Sequence, residues 1–228
     1  MTNYPETATE RFDNANLHIR YCLSFIKKYI KGNVLEVGAG CGSFTRNYVQ
    51  SDHKDITLTE LDKKNISDLK QKFINFKNIK IVESAIDQVD GEFDAILYLH
   101  VLEHIKDDEN EIKEAKKKLK KGGHLIIMVP AYQKIYSNLD KAVGHYRRYE
   151  RDFFKKNLFD LERVNLLSLD VIGYFLYYLN RIFFKKETFP SRLKIFIWDK
   201  IFTPLTIIID RLTGFNYGKC IVTIYRKN

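Results

Sequence analysis

The apolar positions of this chain keep changing their period, and each change marks an element. Phe12, Asn16, Ile19, Leu23, Ile26 and Ile30 recur at three- and four-residue steps, predicting an amphipathic helix that Gly32 ends. Residues 34–37 and 56–60 are strand-like. Helices are predicted over 43–50 and 63–75, the second with Ile66, Leu69 and Phe73 on one face. Ile79 to Glu83 and Phe93 to Leu99 are strand-length apolar runs, as expected of parallel strands covered on both faces. A Lys-rich helix is predicted from about 107 to 121, with Ile112, Ala115 and Leu119 inward and Gly122-Gly123 beyond its end. Its lysines read as a solvated face and a favourable C-terminal charge cluster. Leu125 to Val129 is a further strand. This alternation predicts the α/β class, with a Rossmann-like, doubly wound, mostly parallel sheet.

Beyond residue 130 the pattern changes. Tyr132 to Tyr149 is a long polar and aromatic connection, Asp152 to Leu158 a short helix, and Arg163 to Leu169 a strand. Lys219 to Arg226 alternates as a last strand. These two strands are expected to form an antiparallel hairpin, with 171–212 as a helical insertion before the last strand. Pro190 and Pro204 break that insertion into aromatic and aliphatic stretches.

Composition adds two facts. The net charge is +9, and residues 181–228 hold ten of the basic residues against Glu187, Asp199 and Asp210. Such a segment suits nucleic acid, an anionic membrane or a phosphorylated ligand. Cys22, Cys41 and Cys220 are scattered, odd in number and without metal spacing, which suits a reducing compartment. The first ten residues are polar and carry no leader-like apolar run, and no stretch reaches the ~18 apolar residues of a membrane span. A cytoplasmic protein is the expectation.

The segment with most chemical content is Glu36-Val37-Gly38-Ala39-Gly40-Cys41-Gly42. Glycines after a strand let backbone approach a nucleotide-like cofactor closely. The spacing is G-x-G-x-G, whereas the dinucleotide fingerprint would need a third glycine where Ser43 stands. An ordinary strand-to-helix turn or another nucleotide site stays open on this motif alone. Glu36 would repel a pyrophosphate and welcome a cationic amino group. Glu60 ends the second strand 22 residues after Gly38, where an acid accepts ribose hydroxyls.

The E-V-G-A-G-C-G run resembles the first motif of class I S-adenosylmethionine-dependent methyltransferases. The likeness extends over Val34 to Thr45, Leu99 to Asp108, Val129-Pro130-Ala131, Leu139 to Tyr149, Asp210-Arg211-Leu212 and Gly218-Lys219. It points to a bacterial group with a G-H-Y-R-R-Y signature, associated with cell-surface glycan and lipid pathways. The resemblance implies one methyltransferase domain over 1–228: an N-terminal helical segment to 32, a cofactor-binding core over 33–130, and an acceptor-side region over 131–228. It implies S-adenosyl-L-methionine as cofactor and S-adenosyl-L-homocysteine as product. Gly38, Ala39 and Gly40 would admit the methionine portion, with Glu36 ordering its amino group directly or through water. Glu60 and Leu61 would take the ribose side, Ala85 and Ile86 would flank the adenine with Asp87 as the nearby acid, and Leu99 would end the strand beneath the methionine.

His100-Val101-Leu102-Glu103-His104 matches H-x-x-E-H, a zinc-peptidase spacing, but it follows a strand and no third ligand is implied, so no metal is expected. Downstream, His145 is the candidate general base, because methyl transfer to a hydroxyl must remove a proton. Arg147 and Arg148 suit a phosphate or carboxylate on the acceptor. Equally, this cluster pins the connection to the core through salt bridges and a tyrosine hydroxyl.

The expected activity is O-methylation of a glycan, glycolipid or related small acceptor. RNA or other small-molecule methylation, and a non-catalytic cofactor-binding scaffold, are the alternatives; no nucleic-acid partner is expected. A nicotinamide oxidoreductase is disfavoured by the glycine spacing. Leu193, Phe196, Ile197, Ile201, Leu205, Ile208, Ile209 and Leu212 form a stripe between Lys194, Lys200 and Arg211. A lid or dimer face is the plainer reading of it, and peripheral contact with the inner face of a membrane the other.

Overall fold

A computed structural model describes residues 15–49, 55–155, 160–183 and 190–228. Strands β1 (Val34–Val37), β2 (Ile56–Glu60), β3 (Ile79–Glu83), β4 (Phe93–Leu99), β5 (Leu119–Pro130), β6 (Glu162–Leu169) and β7 (Cys220–Arg226) form one sheet in the order β3-β2-β1-β4-β5-β7-β6. The first five strands are parallel, and β7 runs antiparallel between β5 and β6. The expected hairpin is therefore present, with the insertion between its arms.

Side-chain alternation along the strands feeds two apolar layers. Ala95, Leu97 and Leu99 face one cluster with Leu23 and Ile26 of helix α1 (Asn16–Ile26), and Leu69 of α3 (Lys63–Lys72). Between them in sequence lies the short α2 (Thr45–Tyr48). Ile96 and Tyr98 face the other cluster, with Ile112 and Ala115 of α4 (Asp108–Lys118). The remaining helices are α5 (Asn138–Ala142), α6 (Arg151–Lys155), α7 (Val171–Phe183), α8 (Arg192–Ile197) and α9 (Thr203–Leu212). Phe12, residue 50 and residues 156–159, which the predicted helices included, lie outside the described residues.

One boundary departs from expectation. The Lys-rich helix stops at Lys118, and Leu119 already belongs to β5, pairing with Phe93. Gly122 and Gly123 lie within that strand, and the Gly122 N–H donates to the Lys227 carbonyl at 2.7 Å. The lysines of this run also have partners: Lys116 lies 3.3 Å from Asp160, Lys117 2.6 Å from Glu114 and Lys120 2.9 Å from Asp94, and Lys118 donates to the Val89 carbonyl. Sheet pairing outweighs local charge pattern here.

The insertion is helical throughout 192–212, with a π turn over Trp198–Phe202 between α8 and α9. Pro204 sits in the first turn of α9, where its missing N–H costs little. The inward face of this run is largely polar, with Ile195 its one buried aliphatic residue. Asp199, Thr203, Thr206 and Asp210 are buried, while Leu193, Phe196, Ile201, Leu205, Ile208 and Leu212 are exposed. The cause is capping from a distance. Asp199 accepts the His18 N–H at 2.9 Å at the start of α1, which has no side-chain cap of its own. Asp210 accepts the Asp170 and Val171 N–H groups at 2.7 and 3.0 Å, at the start of α7. Helix N-termini favour such carboxylates.

Candidate active site

The carboxyl edge of the sheet gathers the chemistry, and its backbone is strained there. Non-glycine residues with left-handed φ follow three strands: His100 at 60° after β4, Tyr132 at 64° after β5 and Asp170 at 67° after β6. Such residues persist where the surroundings over-determine them, often at functional sites.

After β1 the chain turns through Gly38 and Gly40, with φ of 64° and 56°. A side chain on Gly38 would strike Val101, whereas a Cβ on Gly40 would meet nothing within 4 Å. This leaves an open cradle of bare backbone. Glu60 holds it from β2, accepting the Gly40 N–H at 2.7 Å and the Leu61 and Asp62 N–H groups at 2.7 and 2.9 Å. Beneath it Glu36 is buried and accepts the Thr45 and Tyr48 hydroxyls at 2.7 and 2.6 Å. Burial pushes the Glu36 carboxyl up to about 7, against the pull of those two hydroxyls. Leu61 is 66% exposed beside Glu60, Ala85 is half-buried, and Ile86 and Leu99 are buried. The Ser84 hydroxyl at the end of β3 is buried with no hydrogen-bond partner. An open glycine cradle, an acid beside it and an orphaned hydroxyl fit a nucleoside-bearing ligand.

On the β4 side, Glu103 lies on a short 3₁₀ turn with no exposed surface. His100 Nδ1 is 3.5 Å and His145 Nε2 3.9 Å from its Oε1. Burial raises the Glu103 carboxyl, but His100, His145 and His104 together hold it below the usual range. Burial lowers His104 in turn.

His145 arrives here through a local motif. Ser137 and Asp140 form a capping box on α5, Asp140 accepting the Ser137 N–H at 2.8 Å. The other Asp140 oxygen lies 2.9 Å from His145 Nδ1 and 2.8 Å from Arg148 Nε. Burial raises Asp140, yet His145 and Arg148 keep it well below the ordinary carboxylate range. Arg148 is buried, also donating to the Ala131 carbonyl at 3.3 Å and stacking 4.4 Å above the Tyr177 ring. Arg147 lies 2.7 Å from Asp108 and donates to the Lys106 carbonyl at 2.7 Å. Tyr149 donates to Asp108 at 2.6 Å.

The structure thus brings Gly38, Val101, Glu103 and His145 to one strand edge, and fixes both arginines on protein acceptors. Glu103 and His104 entered the sequence reading only through the H-x-x-E-H match that was set aside, and Asp140 was given no role there. The H-x-x-E-H run and the Ser137-x-x-Asp140 cap before His145 were the available signals.

A methyltransferase-domain family model matches residues 14–167, more than half the chain. The chain belongs to that methyltransferase family. Among its relatives, the uncharacterized protein MJ1123 of Methanocaldococcus jannaschii is 30% identical over 128 residues, 54% of this chain and 58% of the relative. The chain therefore matches under two thirds of that relative's length. The solved structures that share the methyltransferase fold include two that illustrate it. One is N-methyltransferase NodS of Bradyrhizobium japonicum with S-adenosyl-l-homocysteine, at TM-score 0.62, 17% identity, and 99% and 93% coverage of the two chains. The other is a putative methyltransferase of Bacillus halodurans, at TM-score 0.61, 18% identity, and 91% and 98% coverage. No helix among the described residues is long and apolar enough to cross a membrane.

Proposed function

We propose that this methyltransferase uses S-adenosyl-L-methionine to methylate an oxygen of a glycan, glycolipid or related small acceptor. The observation that carries this reading is the adjacency of the Gly38–Gly40 cradle to the Glu103–His145 cluster, with Val101 packed against the first and two residues from the second. The bound cofactor supplies an electrophilic sulfonium methyl and leaves as S-adenosyl-L-homocysteine.

Gly38, Ala39 and Gly40 present bare backbone to the methionine portion, and Glu36 beneath them attracts its amino group. Glu60 and Leu61 take the ribose side, Ala85 and Ile86 flank the adenine, and Leu99 closes the floor. As the acceptor oxygen bonds to the methyl carbon and the carbon–sulfur bond breaks, the hydroxyl proton is removed at the His145 cluster. Alignment of oxygen, methyl and sulfur supplies much of the rate. Arg148 acts as a positioning residue for Asp140 and His145. Arg147, with its side chain 33% exposed against 6% for Arg148, is the more accessible cation for an acidic acceptor.

We further propose a cytoplasmic protein in peripheral contact with an anionic membrane. The exposed apolar face of 193–212 is bordered by exposed Arg192, Lys194, Lys200 and Arg211, which suits a lipid-linked acceptor. The free, buried cysteines suit a reducing compartment.

Thermal unfolding with S-adenosylmethionine, S-adenosylhomocysteine and NAD tests the cofactor. At about a hundred times Kd the right ligand adds ~2.7 kcal/mol, raising Tm by roughly 5–10 °C. Transfer of labelled methyl to hydroxylated acceptors supports the reaction. Transfer to amines or RNA alone would overturn the O-methylation reading.

A further inference from the structure

The least satisfied group in the candidate site is Glu103. Both of its carboxylate oxygens are buried without a hydrogen-bond partner. A buried carboxylate in that state is costly unless a cation or donor reaches it. The nitrogens around it are imidazoles: His100 Nδ1 stands 3.5 Å away on a side chain 38% exposed, while His145 and His104 are held from behind. Asp140 at 2.9 Å holds the proton of His145 on Nδ1, so in the neutral ring the Nε2 lone pair faces Glu103 Oε1 across 3.9 Å. The His104 ring is tied to the Gly144 backbone. It meets the His145 ring edge to face with centroids 4.6 Å apart. Glu103, His104 and His145 each offer one donor atom, and the three atoms lie within 4.8 Å of one another. Three ligand-type donors from two segments of the chain thus converge around a carboxylate whose hydrogen-bonding capacity is unfilled.

We propose that Glu103, His104 and His145 hold a divalent first-row transition-metal ion of the zinc type. Two imidazoles and one carboxylate leave a fourth position open, the donor count of catalytic rather than structural zinc. Nitrogen donors of this kind select zinc, cobalt or iron over magnesium and calcium. The outer partners are those a metal site needs: a carboxylate behind one histidine, a backbone group behind the other, and Arg148 behind the carboxylate. An ion about 2.0–2.2 Å from each donor draws them closer than they stand here, a side-chain adjustment of roughly an ångström.

This deepens the methyl-transfer reading and depends on it only for what the ion does. The open position takes the acceptor hydroxyl and lowers its pKa, and the proton lost at the His145 cluster then passes to solvent and not onto the ring, because His145 serves as ligand. The ion neither gains nor loses electrons, and the methyl passes from sulfur to oxygen as before.

The test uses the untagged full chain, stripped with chelator and titrated with Co²⁺. We expect one equivalent to bind with visible ligand-field bands, to be displaced by one equivalent of Zn²⁺, and to withstand excess Mg²⁺. Glu103→Gln and His145→Asn should each weaken binding at least tenfold. Thermal shifts with S-adenosylhomocysteine show that each variant is folded. No bands, substoichiometric cobalt, or affinity unchanged in two folded variants would overturn the site. A cofactor shift without cobalt binding removes the metal and leaves the methyltransferase reading standing. Cobalt binding without a cofactor shift does the reverse.

Discussion

Asp210 and Glu103 are both carboxylates with no exposed surface, yet they are opposite in circumstance. Asp210 takes the Tyr21 hydroxyl at 2.8 Å and two backbone N–H groups. Burial still pushes its carboxyl upward. Glu103 takes no hydrogen bond on either oxygen and sits among imidazoles. The first ties α9 to α1 and α7, so its environment is complete without a ligand. The second is arranged around something that has yet to arrive. Burial alone does not separate a structural carboxylate from a functional one. Saturation of its lone pairs does.

The comparison can be broken most directly at Asp210. Asp210→Ala orphans two buried N–H groups and a tyrosine hydroxyl, and should lower stability by about 3–5 kcal/mol in urea unfolding. A loss under about 1 kcal/mol would mean that Asp210 is not structural in this sense. Next comes acid. His18, beside Asp199, is lowered from 6.5 to about 4, chiefly by burial and also by Lys219 and His100, against Asp170 and Asp199. The unfolded chain takes up this proton first, so the contribution is whole above pH 6.5. It should fall by about 3 kcal/mol as pH drops towards 4. Urea midpoints across that window should flatten in His18→Gln, and an unchanged slope would remove the assignment. Glu103→Gln should cost less than Asp210→Ala, about 1 kcal/mol, because it gives up only the attraction of His100, His145 and His104 while relieving a buried charge. Methyl transfer should drop about a hundredfold or more, which paired unfolding and turnover assays will separate. Smallest of all are Ile208→Gln and Leu212→Gln, whose side chains are 57% and 81% exposed. They should lie within about 0.5 kcal/mol of the parent and still weaken sedimentation with anionic vesicles. Equal vesicle binding would take the membrane out of the picture.

Much of the fold was readable in the sequence because β4 is apolar and buried on both faces, so run length nearly sufficed there. By contrast β3, expected to be covered on both faces, lies at the sheet edge and buries no residue fully. The end of the Lys-rich helix was not readable, since the pairing of Leu119 with Phe93 is a contact across the sheet. The stripe over 193–212 was visible, but its direction was hidden. The inward pull comes from Asp199 capping a helix 181 residues away in sequence. In the site, Glu36, Gly38 and Glu60 announced themselves by spacing within one strand–helix–strand unit. Glu103 and His104 were in view as part of H-x-x-E-H and lacked a third donor. That donor, His145, is delivered by Asp140, which belongs to a different part of the chain.

The place of β7 also bears on the order of assembly. Its ladder to β5 runs from His124↔Arg226 to Pro130↔Cys220, joining segments almost a hundred residues apart, while β6 pairs with β7 alone. The parallel half can close from nearer contacts, but β5 keeps a bare apolar edge until Cys220–Arg226 arrives. During synthesis that edge is open to other chains, and β6 has nothing to dock upon. The final strand acts as the keystone of the sheet, and shortening the chain before Cys220 should yield aggregation rather than a smaller folded protein.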